Sequence, residues 1–186
     1  MNRLTCTDLP LKGLFLIDHH RIGDNRGFLS RMFCMGELAI AGWKKPIAQI
    51  NYTSTSKIGT VRGMHFQNPP YSEMKLVSCI RGKVWDVALD LREGSPTFLQ
   101  WHAEILSSKN NKSLLIPEGF AHGFQAMTNN VELLYCHSQE YNEEMEAALN
   151  VSDPMLKINW PLEISELSKK DQKNLLIDKK YKGVQV

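Results

Sequence analysis

The sequence predicts an all-β protein, an antiparallel sandwich or barrel, and three observations carry that prediction. From Ile47 to about Tyr135, short apolar runs (IAQINYTS, GTVRGMHFQ, KLVSCI, KVWDVALDL, FLQWHAEIL, SLLIP, GFQAM and VELLYCHS) follow one another with turn residues between them. Almost no helical period separates these runs, which argues against alternating strands and helices. Beyond the hairpin signal at Arg81-Gly82, Trp85, Val87, Leu89 and Leu91 alternate with Val84, Asp86, Ala88 and Asp90. One strand face is then apolar, and the other mixes small residues with carboxylates, so Asp86 is expected in a polar interior or cavity.

The remaining elements read as follows in chain order. Residues 11–22 form an apolar run ending in His19-His20, and Gly23 to Gly27 is a dense turn signal followed by a strand over Phe28 to Phe33. Met35, Leu38 and Ala41 are spaced for a short helix that Gly42 can end. After Asn150 the composition shifts to DPMLKINWP and a lysine-rich tail. There Ile164 to Lys173 resembles a short helix, with Ser165 or Ser168 as N-cap. The expected organisation is one domain over residues 1–186, with an N-terminal strand segment and a helical C-terminal tail.

Composition narrows the function. At 42% hydrophobic, 23% charged and a net charge of +2, the chain has the balance of a soluble globular protein. It lacks the basic excess that draws nucleic acid or anionic membranes. No apolar run approaches the roughly 18 residues of a membrane span, and the first residues lack the pattern of a secretory signal, so a cytoplasmic setting is expected. Cys6, Cys34, Cys79 and Cys136 are far apart and form no Cys-x-x-Cys pair, which reads as reduced thiols.

Chemistry concentrates in Gly59 to Lys75. His65 is of the residue type suited to proton transfer at neutral pH, Lys75 can hold a developing oxyanion, and Arg62 and Gln67 complete a set suited to proton transfer beside a carbonyl or to anion binding. Strict alternation places Arg62 and His65 on opposite strand faces, so a shared site requires a bulge near Gly63. A second block, Ile116 to Phe124, places His122 just past a Pro-Glu-Gly turn, where it either joins His65 or satisfies buried carbonyls. Tyr135 and Tyr141 read first as core or interface aromatics, though a phenol facing a base across a carbon acid can donate a proton. His137 has no evident partner. Around Gly23 to Phe28, Arg26 and Phe28, with Arg31 beyond, form either a solvated loop or a phosphate-and-base clamp. Pro-x-Gly-x-x-His resembles the second motif of metal-dependent cupins, which makes His65, Glu73 and His122 a conceivable three-ligand set. The His-x-His pair of the first motif is missing, since Phe66-Gln67 follows His65, so no metal and no cofactor is expected.

Taken together, RGMHFQ, the Lys75-Leu-Val run, VWDVALDLREGSPTF, IPEGFAHGF, LLY, INWP and LSKKD resemble the dTDP-4-dehydrorhamnose 3,5-epimerase family, in consistent order from about Gly23 to Asp171. The resemblance implies a cupin-like antiparallel β jelly roll with short flanking helices, a homodimer, and no metal. It implies a nucleotide-diphosphate-linked 4-keto-6-deoxyhexose as substrate, inverted at C5, C3 or both through an enolate, in deoxysugar biosynthesis. His65 stands where the family has its base, Asp171 where it has the carboxylate paired with that base, Lys75 near the C4 oxygen, and Tyr135 at the proton donor. Arg62 and Arg26 match diphosphate-binding arginines; Gln49, Asn51 and Phe28 match nucleotide-binding positions; His122, Tyr141 and Asp86 fall in blocks near the site. Two departures stand out. Arg31 replaces a glutamate, which suits a base acceptor better than the N3 proton of thymine and leaves dTDP, CDP and GDP open. Cys136-His137 and Glu140 replace a lysine, a threonine and a tyrosine bordering the sugar pocket, which leaves the inverted carbon open. A ketoisomerase, a metal-dependent cupin enzyme and a non-catalytic sugar-nucleotide-binding module are the competing readings. The epimerase reading requires His65 and Asp171 within hydrogen-bonding distance, and Lys75 and Tyr135 facing the same cavity.

Overall fold

A computed structural model describes residues 2–186. Thirteen strands run in chain order: β1 (Leu4–Asp8), β2 (Phe15–His19), β3 (Ile22–Asp24), β4 (Gly27–Leu29), β5 (Gln49–Thr55), β6 (Val61–Gln67), β7 (Lys75–Arg81), β8 (Lys83–Asp90), β9 (Trp101–Ser107), β10 (Lys112–Ile116), β11 (Phe120–Ala126), β12 (Val131–His137) and β13 (Glu146–Ala148). A six-stranded sheet has the order β1-β2-β10-β7-β12-β5 and a five-stranded sheet the order β13-β6-β11-β8-β9, while β3 and β4 form a separate, exposed hairpin arm. All ladders are antiparallel. The result is a cupin-like β jelly roll.

Alternation explains how the layers close. Leu16, Val77, Val84, Ala88, Leu114, Phe124 and Leu133 make the core between the sheets. The apolar face of β8 points the other way: Val87, Leu89 and Leu91 are buried beneath the C-terminal segment, and Trp85 meets Trp101 and Trp160 edge-on at 5.6 and 5.4 Å. The face of small residues and carboxylates is therefore the inner one. Asp86 is completely buried there. The outer face of the six-stranded sheet is covered by α1 (Met35–Leu38) and a 3₁₀ turn (Ala39–Ala41) that ends on Gly42 at φ 91°, a left-handed value that glycine adopts without strain.

Two expectations are corrected. The tail over Ile164 to Lys173 is not a helix; a single 3₁₀ turn, Asp171–Lys173, stands where one was expected. Ile164 and Leu167 are drawn onto the five-stranded sheet, and the backbone bonds alongside it, Val61 N–H donating to Glu166 O (3.0 Å) and Ser165 N–H to Gly59 O (3.1 Å). An extended strap satisfies both demands. Ser165 accordingly donates its hydroxyl to Ile58 O, while Ser168 Oγ accepts Asp171 N–H at 2.9 Å and so caps the turn. The expected strand over Phe28 to Phe33 stops at Leu29, because the Arg31 carbonyl accepts from His19 Nδ1 (2.8 Å) and its guanidinium pairs with Glu37 of α1.

Candidate active site

The cavity floor is set by strand register. Along β12, Leu133, Tyr135 and His137 share the inner face; Thr53, Asn51 and Gln49 of β5 stand beside them on one side, and Cys79, Val77 and Lys75 of β7 on the other. Lys75, His137 and Gln49 therefore form one rung, and Val77, Tyr135 and Asn51 the next. Opposite lies β6, where three steps from Arg62 to His65 match two on β11, from Phe124 to His122. The extra residue is a bulge at Gly63, whose φ is 147° and where an added Cβ would stand 2.6 Å from Gly123 Cα. The bulge turns Arg62 and His65 into the same space, and both line a cavity of about 880 Å³ together with Asn51, Lys75, His122, Tyr135 and Asp171.

Each ring and charge in this cavity has a defined partner. His65 Nε2 lies 2.7 Å from Asp171 Oδ1, with the His65 side chain 36% exposed and that of Asp171 4%. Burial raises the Asp171 pKa, but the hydrogen bonds and charge of His65 outweigh it and hold the carboxyl below its usual value. An ionised Asp171 fixes the proton of neutral His65 on Nε2 and leaves a lone pair on Nδ1. Lys75, nearly buried, contacts Glu73 Oε1 at 2.9 Å and donates to His65 O at 3.2 Å. Glu73 is desolvated, yet the charge and hydrogen bond of Lys75, with His137 close by, lower its pKa, so Lys75 keeps a counter-ion. Burial pushes the Tyr135 phenol well above its usual value, which keeps it protonated. His122 meets the Tyr135 ring edge-on at 5.8 Å, and its Nε2 is held by both oxygens of Asp86 at 2.9 and 3.0 Å.

The other expected site residues divide. Asn51 and Arg62 line the cavity, Arg62 also donating to Thr55 Oγ1 at 3.1 Å. Gln49 and Tyr141 are not among the residues that line the cavity: Tyr141 N–H donates to Gln49 Oε1 (2.9 Å) and Tyr141 O–H to Glu146 Oε2 (2.7 Å). Arg26, Phe28 and Arg31 are not in this chain's cavity. Arg26 pairs with Asp24 in solvent, Phe28 lies under the Arg21 guanidinium at 3.9 Å, and Arg31 pairs with Glu37, because the β3–β4 arm projects away from the sheets. Gln67 is a brace, its amide donating to Tyr71 O, Glu73 Oε2 and Glu140 O. Sequence reasoning passed over Glu146 and Lys170, gave Ser168 only a capping role and named no partner for His137, yet all four lie in the cavity wall. For His137 the signal was there, since two residues beyond Tyr135 on a strand is the same face.

Among the described residues no three His, Cys, Asp or Glu side chains are grouped to hold a metal ion; Glu73 is turned to Lys75 and His122 to Asp86. The four cysteines are free thiols, and no described helix is long and apolar enough to cross a membrane.

Comparison with known proteins bears on this geometry directly. The family model described as dTDP-4-dehydrorhamnose 3,5-epimerase matches residues 8–179. The dTDP-4-dehydrorhamnose 3,5-epimerase of Shigella flexneri is 38% identical over 166 residues, covering 89% of this chain and 90% of that one. The crystal structure of dTDP-6-deoxy-D-glucose-3,5-epimerase from Legionella pneumophila, in complex with dTDP-4-keto-L-rhamnose, superposes with a TM-score of 0.90 at 34% identity, over 98% of this chain and 99% of that one. A 3'-monoepimerase from Streptomyces bikiniensis in complex with dTDP-quinovose gives a TM-score of 0.84 at 30% identity, over 90% and 85%. With a family model covering nearly its whole length and these relatives matched end to end, the chain belongs to the dTDP-4-dehydrorhamnose 3,5-epimerase family.

Proposed function

We propose that this chain inverts C5, C3 or both of a nucleotide-diphosphate-linked 4-keto-6-deoxyhexose through an enolate. The observation that carries the reading is one cavity that holds a carboxylate-paired histidine on one sheet, a neutral phenol on the other, and a buried ammonium near both. His65 Nδ1 takes the proton α to the C4 ketone, and Asp171 orients the ring and stabilises the imidazolium that forms. The electron pair moves to the C4 oxygen, where Lys75 is positioned as donor, an interaction worth roughly 3 kcal/mol in comparable oxyanion sites. Tyr135 then protonates the same carbon from the opposite face. One proton leaves to His65 and one returns from Tyr135, so no redox group is needed, and proton exchange with solvent restores the imidazole and the phenol before the next turnover.

Binding follows the charges. Arg62 at the cavity wall takes the diphosphate, and the amides of Gln49 and Asn51 face the nucleotide. Arg26, Phe28 and Arg31 sit on an exposed arm that also carries exposed Ile22 and Leu29, and β5 leaves Ile50 and Tyr52 exposed at a sheet edge. A homodimer covers this apolar surface and lets the arm of one protomer reach the pocket of its partner. One domain spanning the chain carries the reaction, and free thiols suit a cytoplasmic setting.

Incubation with dTDP-, CDP- and GDP-4-keto-6-deoxyglucose in deuterated water, followed by NMR, tests the reading. Deuterium is expected at C5, C3 or both with at least one substrate, and the positions labelled define the reaction. No exchange with any of the three sinks it.

A further inference from the structure

His137 departs from the family pattern, and its surroundings are directional. The backbone N–H of Tyr141 donates to Gln49 Oε1 at 2.9 Å, Gln49 Nε2 donates to Asn51 Oδ1 at 2.9 Å, and Asn51 Nδ2 lies 3.4 Å from His137 Nε2. A backbone N–H only donates, so Gln49 must present its oxygen there and its NH₂ onward. Asn51 must then present oxygen to Gln49 and NH₂ to the imidazole. His137 Nε2 is thereby an acceptor, and the ring proton sits on Nδ1. That atom is buried, has no hydrogen-bond partner, and stands beside the Glu73 carboxylate, 3.4 Å from Oε2. The other oxygen of Glu73 holds Lys75. A polar sequence thus runs from the amides at Gln49 and Asn51 to the lysine at the other side of the pocket, and His137 is its only ring.

We propose that His137 is a positioning residue that sets the donor–acceptor polarity of Asn51 and Gln49 and ties it to the Lys75–Glu73 ion pair. The assignment rests on the epimerase reading only for the identity of the ligand those amides meet. A ring that merely filled the space would need neither an amide donor at one nitrogen nor a carboxylate at the other. The groups facing it are Asn51 and Gln49 from β5, Glu73 and Lys75 on the β7 side, and Tyr135 of its own strand, stacked at 6.0 Å and 18°. The amides cannot reverse, because reversal sets the Gln49 NH₂ against Tyr141 N–H, so a side chain at position 137 that offers no acceptor releases Asn51.

Calorimetric titration of dTDP into the full chain at pH 8 tests this, comparing wild type with His137→Gln and His137→Thr. Glutamine offers Asn51 an acceptor; threonine is too short to reach it. His137→Thr is expected to bind dTDP about fivefold more weakly than wild type, the value of one hydrogen bond, and His137→Gln to keep the wild-type affinity within about twofold. Equal losses in the two variants, or no loss in His137→Thr, overturn the proposal, as does a wild-type protein that binds no dTDP. Absence of deuterium exchange with every sugar overturns the epimerase reading and leaves the dTDP comparison to decide this one.

Discussion

His65 and His122 are register partners on neighbouring strands, and each is bonded to an aspartate, yet the two pairs are built for different work. Asp86 rises from the adjacent strand β8, is fully buried, and grips His122 with both oxygens; the side chain of His122 is 7% exposed and its ring props Tyr135 edge-on. Asp171 arrives on the strap 106 residues away and gives His65 one oxygen, leaving the ring 36% exposed to the cavity. A carboxylate at one nitrogen is common to both. Access to the other nitrogen separates a base from a prop.

The sharpest way to break that contrast is to swap the test between the pairs. His65→Asn is expected to lower deuterium exchange about a thousandfold or more. His122→Asn should reduce exchange far less. Equal losses from the two substitutions, or more than a tenth of the wild-type rate surviving in His65→Asn, would show that the assignment of base and prop is wrong. His122→Asn also strips the buried Asp86 of its hydrogen-bond partner and is expected to cost about 2 kcal/mol in urea unfolding. A loss below about 1 kcal/mol would mean that water or a neighbour already satisfies Asp86.

Lys75 sharpens the comparison on the His65 side, because its ammonium touches the His65 carbonyl and not the His122 pair. Lys75→Met is expected to reduce kcat about a hundredfold with KM changed only a few-fold, the pattern of an interaction that strengthens as the enolate forms. A rise in KM at constant kcat would reassign Lys75 to ground-state binding.

Much of this was legible before any coordinates. The strands announced themselves because one face of each is buried, and Gly63 marked the bulge because Arg62 and His65 can share a cavity only if the alternation breaks between them. Asp171 was legible only through family resemblance. The strap that carries it is extended and anchored by backbone bonds to Gly59 and Val61, so it has no period of its own, and its apolar residues mimicked a helix. The arm was harder to read for the opposite reason: Arg26 and Phe28 make a plausible clamp locally, but in this chain they pair with Asp24 and Arg21 outside the cavity. Local pattern reports which face a side chain takes. It does not report which distant segment faces it.

A third histidine extends the contrast to a ring with no carboxylate at all. His19 is buried between the Arg31 carbonyl and Ser113 Oγ, at 2.8 and 2.6 Å, and Ser113 is bonded in turn to Ser78. Desolvation lowers its pKa below 6.5, whereas the hydrogen bonds of His65 outweigh burial to lower that of Asp171 below 3.8. The unfolded chain therefore binds a proton at His19 that the native chain refuses, so stability falls as pH drops below about 6.5 and levels off at the lower native value. The Asp171 contribution is present above its unfolded pKa and is lost only as pH falls through the depressed native one. Urea midpoints between pH 7.5 and 5 should decline with a slope of at most about 1.4 kcal/mol per pH unit, the limit for one proton. His19→Gln, which keeps an amide in place of the ring, should flatten that decline while lowering stability at pH 7.5. An unchanged slope would assign the decline to another group, and the carboxylate-free ring would then differ from the two pairs in geometry alone.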